Sequence, residues 1–155
     1  MTDTEKIAHK KYLKELAIAI LQERIEHASA AMNEAQQSAN EDDKSSVGDK
    51  HHTGRAMAQN DRDIYARQME NARKDLSFIL QIDVTLFHKK IEPGVYMETE
   101  TEKYFFLTGL GQIDTKYGKV FFLSVSSPLG QAMHDKKSGD ELVFNNKKVI
   151  INNVY

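Results

Sequence analysis

The residues best suited to chemistry crowd into "NEDDKSSVGDKHH", Asn40 to His52, where Glu41, Asp42, Asp43 and Asp49 stand beside Gly48 and the adjacent histidines His51 and His52. Carboxylates at this density can gather a hard divalent cation, since Mg2+ takes oxygen ligands in near-octahedral geometry. Asp49 has two readings. It is a metal-ligand carboxylate, or it caps a following helix by accepting from a backbone N–H two or three residues on. For the acidic run itself the ordinary reading is a solvated loop. A zinc site from Asp49, His51 and His52 is the competing metal reading, but Zn2+ prefers four ligands in a tetrahedral array and this segment offers three.

The elements on either side must position these groups. From Thr4 to about Ala39 there is no Gly or Pro, and Ile18, Leu21, Ile25, Ala28, Met32 and Ala35 follow the alternating three-and-four spacing of a coiled-coil seam. Thr2 and Glu5 stand in capping-box spacing, so the helix is expected to begin within the first few residues. A second helix is expected from about Thr53 to Leu80, with Ala58, Tyr65, Met69, Ala72, Leu76 and Ile79 on its stripe. Two long helices joined by a short polar segment pair most simply as an antiparallel hairpin, which puts residues 40–53 at its tip.

After Asp83 the period changes to short β-type runs: Val95–Glu100, Lys103–Gly109, Lys119–Val125, Glu141–Asn145 and Lys148–Tyr155. Turn signals at Pro93-Gly94, Tyr117-Gly118, Ser138-Gly139 and Asn145-Asn146 separate them. Ser127 and Pro128 suit the cap and first position of one short helix, expected to pack through Leu129, Ala132 and Met133. In Phe105-Phe106 and Phe121-Phe122, strand alternation should send one ring of each pair inward and one outward. The expected class is therefore α+β, with a helical hairpin over 1–82 and a small sheet domain over 83–155.

Composition excludes several functions. The chain is 155 residues, 40% apolar and 28% charged, the profile of a globular protein. Positions 1–80 hold 12 basic and 14 acidic residues and positions 81–155 hold 9 of each, so neither half has the basic excess that independent nucleic-acid binding requires. The longest apolar run, Leu16 to Leu21, is six residues, too short to span a membrane, and no signal-peptide pattern opens the chain. With no cysteine, the expectation is a reducing, cytoplasmic setting. No Ser-His-Asp, P-loop or helical His-Glu-x-x-His arrangement suggests a stand-alone hydrolase. Lys136, Lys137, Lys147 and Lys148 read as solvated turn lysines.

In organisation and in two local motifs the chain resembles the Gre family of bacterial transcription elongation factors, in which an N-terminal antiparallel coiled coil precedes an FKBP-like α/β domain. The more specific match is "SPLGQAMHDKKSGDELVF", Ser127 to Phe144, which is similar to the family's C-terminal signature. The second, "GDKHHTGRA", Gly48 to Ala56, occupies the place of the family's tip sequence: Asp49 falls on the tip aspartate, His52 stands where its acidic partner belongs, and Thr53-Gly54 replace Asn-Ala.

The resemblance implies an accessory factor with no catalysis of its own, a monomer whose partner is RNA polymerase. Its coiled coil enters the polymerase secondary channel, and its tip acids help hold a second Mg2+ while the polymerase hydrolyses the 3′ end of a backtracked transcript. Two metals then stabilise attacking and leaving oxygens. No cofactor would be tightly bound, and Mg2+ would be shared with the polymerase. Asp49 and His52 would be the accessory tip residues, with Glu41, Asp42 and Asp43 as further metal ligands. Ser127, Pro128, Leu129, Gly139 and Asp140 would belong to the docking signature, with the outward aromatic rings either a docking patch or covered by neighbouring helices.

His52 leaves three routes open. Nearby acids supply the missing carboxylate, His52 acts on water as acid or base, or the protein occupies the channel without cleaving. Arg55 meets phosphate or polymerase acids, or pairs with Glu41 to Asp43. A reading from another class makes the coiled coil the arm of an adaptor unrelated to polymerase. An FKBP-like fold does not by itself imply prolyl isomerase activity.

Overall fold

The computed structural model describes the backbone of residues 1–44 and 49–155 and the side chains of 1–41 and 54–155. The order is α1 (Asp3–Lys44), α2 (Asp49–Leu80), β1 (Tyr96–Thr99), β2 (Lys103–Phe106), β3 (Gly111–Thr115), β4 (Gly118–Leu123), α3 (Pro128–Ala132), β5 (Glu141–Phe144) and β6 (Lys147–Val154). A long helical hairpin precedes a six-stranded, mostly antiparallel sheet with one short helix, an α+β fold. Among the described residues, no helix is long and apolar enough to cross a membrane.

The chain forms two compact units, Ile18–Phe78 and a second made of Met1–Ala17 with Ile79–Tyr155. Within the first, the seam positions lie inward as their spacing demands: Leu21, Ala28 and Ala72 are buried, Ile25, Met32, Ala35, Tyr65 and Met69 are partly covered, and Ala39, one step beyond the expected seam, is buried as well. Both helices run further toward the tip than expected, α1 to Lys44 and α2 from Asp49. Without Gly or Pro between Asn40 and Lys44, propagation adds a hydrogen bond per residue and nothing in the covalent chain stops it.

In the second unit, α1 begins with a reciprocal capping box: Thr2 N–H donates to Glu5 Oε2 at 2.6 Å and Glu5 N–H to Thr2 Oγ1 at 3.2 Å. The Thr2 backbone N–H, and after it the Thr2 hydroxyl, hold the Glu5 carboxyl below its usual range. The sheet order is β3-β4-β2-β1-β6-β5, with β2 and β4 parallel. Tyr96 pairs with Phe105 and Phe105 with Phe122, so these three rings make one row across a single face. On the opposite face Ile91, Val95, Met97, Phe106, Met133 and Ile151 form the main core, with Leu129 and Leu142 packed against it.

Three expectations need correction. Phe105 and Phe106 are both fully buried, because the sheet is covered on both faces, so Phe105 offers no outward docking ring. Ala132 is exposed, and α3 packs instead through Leu129, the buried Gly130 and Met133. Strand β3, "GQIDT", was not expected, since only Ile113 marks it as apolar and it forms a polar edge beside β4.

Gly130 lies where the chain turns back under α3. A Cβ there would meet the carbonyl oxygens of Val125 at 2.5 Å and Ser124 at 2.8 Å. Backbone atoms cannot yield as a flexible side chain would. Gly130→Ala should therefore destabilise the protein by about 1–3 kcal/mol despite alanine's better helix propensity. A lowered urea midpoint with unchanged slope checks it.

Candidate functional site

The signature residues fall into two groups. Ser127 has extended backbone angles and its Oγ accepts from Gly130 N–H at 3.1 Å, while Pro128 occupies the first position of α3 and is exposed. Gly139 has φ +90°, a left-handed value that favours glycine, and donates its N–H to Ile151 O at 2.7 Å. Asp140 accepts from Lys137 N–H at 3.0 Å through its carboxylate, and its carbonyl accepts from Ile151 N–H. Leu129 and Leu142 join the two groups through the same core. Ser127, Gly139 and Asp140 thus satisfy backbone groups of their own domain, and of the five residues Pro128 and Gly139 are exposed.

At the hairpin tip, Glu41 is exposed in the last turn of α1. Asp42 and Asp43 continue that helix and Asp49 opens α2, with His52 one turn in. The side chains of Asp42, Asp43, Asp49, His51 and His52 lie outside the described residues, as does Gly48, so the proposed Mg2+ ligation, and the N-cap and zinc readings with it, fall there too. Arg55 is half-buried at the start of the described side chains. Among the described residues no three His, Asp or Glu side chains gather as a metal-binding group.

A polar cluster that sequence reasoning missed lies in the sheet unit. His9 is 2% exposed and sits edge-on to Tyr96 and Tyr117, with ring centroids 4.5 and 4.4 Å away. Its Nδ1 shares a 2.8 Å hydrogen bond with the Tyr155 hydroxyl, and Nε2 has no partner among the described residues. Tyr96 donates to Glu98 Oε1 at 2.6 Å. Burial, then the Glu98 bond and charge, raise the Tyr96 hydroxyl well above the usual phenol range, and burial raises that of Tyr155.

Lys10, fully buried beside His9, donates to Leu86 O at 2.7 Å and lies 5.1 Å from the Phe87 ring centroid. One turn on, Lys14 donates to Ile82 O at 2.7 Å. Together they hold the segment that leads from α2 to β1. Burial pushes the Lys10 ammonium down to about 8, with Asp83 opposing the shift. The signal that could have found this cluster is the helical stripe itself: stepping back from Ala17 and Leu13 by four residues lands on His9.

No protein-family model matches the chain, and no curated protein sequence matches it.

Burial pushes the His9 imidazole down to about 4; the Glu98 carboxylate opposes this and Lys103 and Lys116 add to it. The folded pKa lies below the ordinary 6.5, so the unfolded chain binds the extra proton first. Stability is therefore complete above about pH 6.5 and falls as pH drops toward 4, by about 2–3 kcal/mol from this group. His9→Gln should be less stable at pH 7 yet lose less between pH 6.5 and 4.5. Urea titrations of both proteins across that window read the difference.

Proposed function

We propose that the protein is a Gre-type transcription elongation factor, binding bacterial RNA polymerase through its secondary channel and stimulating or modulating transcript cleavage in backtracked complexes. The observation that carries the reading is the order of parts: a long helical hairpin whose sequence carries Gly-Asp at positions 48 and 49, followed by a sheet domain that contains the Ser127–Phe144 signature. A paired hairpin is the form needed to carry carboxylates into a narrow channel. Its acids would complete the coordination of a second Mg2+ that the polymerase also holds, so no tightly bound cofactor and no independent catalysis are expected. The factor would work in the cytoplasm as a monomer.

His52 favours a second reading within the same class. Neutral imidazole brings no negative charge and is a poor ligand for Mg2+. If Glu41, Asp42 and Asp43 do not supply the missing carboxylate, the hairpin occupies the channel and regulates access without promoting cleavage.

Stalled, backtracked elongation complexes given Mg2+ and this protein should shorten their RNA from the 3′ end. Asp49→Ala should reduce the rate by about tenfold or more, the scale of losing one charge-assisted contact in a phosphoryl-transfer site. Unchanged shortening in that variant sinks the tip chemistry. Binding to polymerase with no shortening selects the channel regulator. Failure to bind polymerase, with a concentration-dependent dimer in sedimentation, selects an adaptor.

A further inference from the structure

An open cleft of about 500 Å3 lies wholly within the sheet unit, and the function proposed above makes no use of it. Three lysines from separate parts of the chain line it: Lys6 from α1, Lys89 from the segment before β1, and Lys137 from the turn before β5. Asp3 supplies the one opposing carboxylate, and His88 already has its own partner in Glu92. None of the three ammonium groups is ion-paired among the described residues. Lys6 lies over the Tyr155 ring, 5.1 Å from its centroid, which holds it at the wall of the cleft.

Phe87 and Tyr155 add aromatic wall, beside Ser138 and Val154. Phe87 has the Lys10 ammonium 5.1 Å from its ring centroid and still leaves 44% of its surface exposed. An exposed ring beside unpaired cations offers a planar ligand group an apolar surface and an anion several donors. Convergence of like charges in a concave surface also concentrates anions from solution. The size falls within the range of pockets that hold small molecules, roughly 300–1,000 Å3.

We propose that this cleft binds a phosphorylated small molecule carrying a flat ring, of the nucleotide class, with its phosphates between Lys6, Lys89 and Lys137 and its ring on Phe87. No tip residue lines the cleft, nor do Ser127, Pro128, Leu129, Gly139 or Asp140, although Lys137 and Ser138 fall within the Ser127–Phe144 stretch.

Titration calorimetry on the full chain at low salt, with ATP and with inorganic pyrophosphate as probes, tests both halves of the assignment. ATP should bind saturably. The double variant Lys89→Ala/Lys137→Ala should weaken it by about tenfold or more, the equivalent of about 1.4 kcal/mol. Phe87→Leu should weaken ATP while leaving pyrophosphate unchanged, and Lys147→Ala, an exposed lysine outside the cleft, should change neither. Circular dichroism establishes that each variant is folded. Absence of saturable ATP binding, equal affinity in the double variant, or an equal loss in Lys147→Ala overturns the site. ATP binding no tighter than pyrophosphate, and insensitive to Phe87→Leu, overturns the ring-binding half.

Discussion

The fold of the sheet unit depends on hiding two polar neighbours, His9 and Lys10, beneath an aromatic face. An ammonium taken out of water costs several kcal/mol unless it is paired or hydrogen-bonded. Here the Leu86 carbonyl and the ring of Phe87 compensate Lys10, while Tyr155, Tyr96 and Tyr117 enclose His9. The partners come from several separate stretches of chain, so the arrangement requires α1, the segment before β1, β1 itself, the β3–β4 turn and Tyr155 to be in register at once. A purely apolar contact would tolerate sliding; directional bonds to a carbonyl and a hydroxyl do not.

The same contact explains why the small sheet has so few free faces. The row Tyr96, Phe105 and Phe122 lies on the side that His9 meets, and the Met97 and Phe106 core lies on the other with α3. What the sheet leaves open is its edges. Strand β5 carries Val143 at 71% exposure, beside the Glu141–Lys148 ion pair, and strand β3 is largely polar. Charged and polar side chains at such edges discourage pairing with other chains.

Much of this organisation was legible in the residues. The seam from Leu21 to Ala35, the capping box of Thr2 and Glu5, the Ser127-Pro128 helix start and the left-handed Asn145-Asn146 turn were all local patterns, and local physics produced them. What escaped were consequences of packing. Alternation alone cannot say that both faces of β2 are covered, and a lone Ile113 gives β3 no period to detect. His9 and Lys10 look like ordinary surface residues until Tyr155, far along the chain, arrives beside them. For the proposed tip, the acid spacing and Gly48-Asp49 could be read, but ligation is a matter of side-chain convergence that residue order does not encode.

Strand β6 sits inside the sheet, between β1 and β5, and Tyr96 and Tyr155 exchange backbone hydrogen bonds of 2.7 and 3.0 Å. This has a consequence for how the molecule is made. A ribosome delivers residues in order, and the helical unit Ile18–Phe78 has all its residues once residue 80 has emerged, whereas His9 and Lys10 of α1 still await partners further along the chain. The sheet cannot close around β1 until residues 147–155 are free, because its neighbour on that side does not yet exist. Nascent chains should therefore pass through an interval in which the hairpin is formed while the aromatic face and the Met97 core await the last strand, the stage at which exposed apolar surface makes a chain dependent on chaperones.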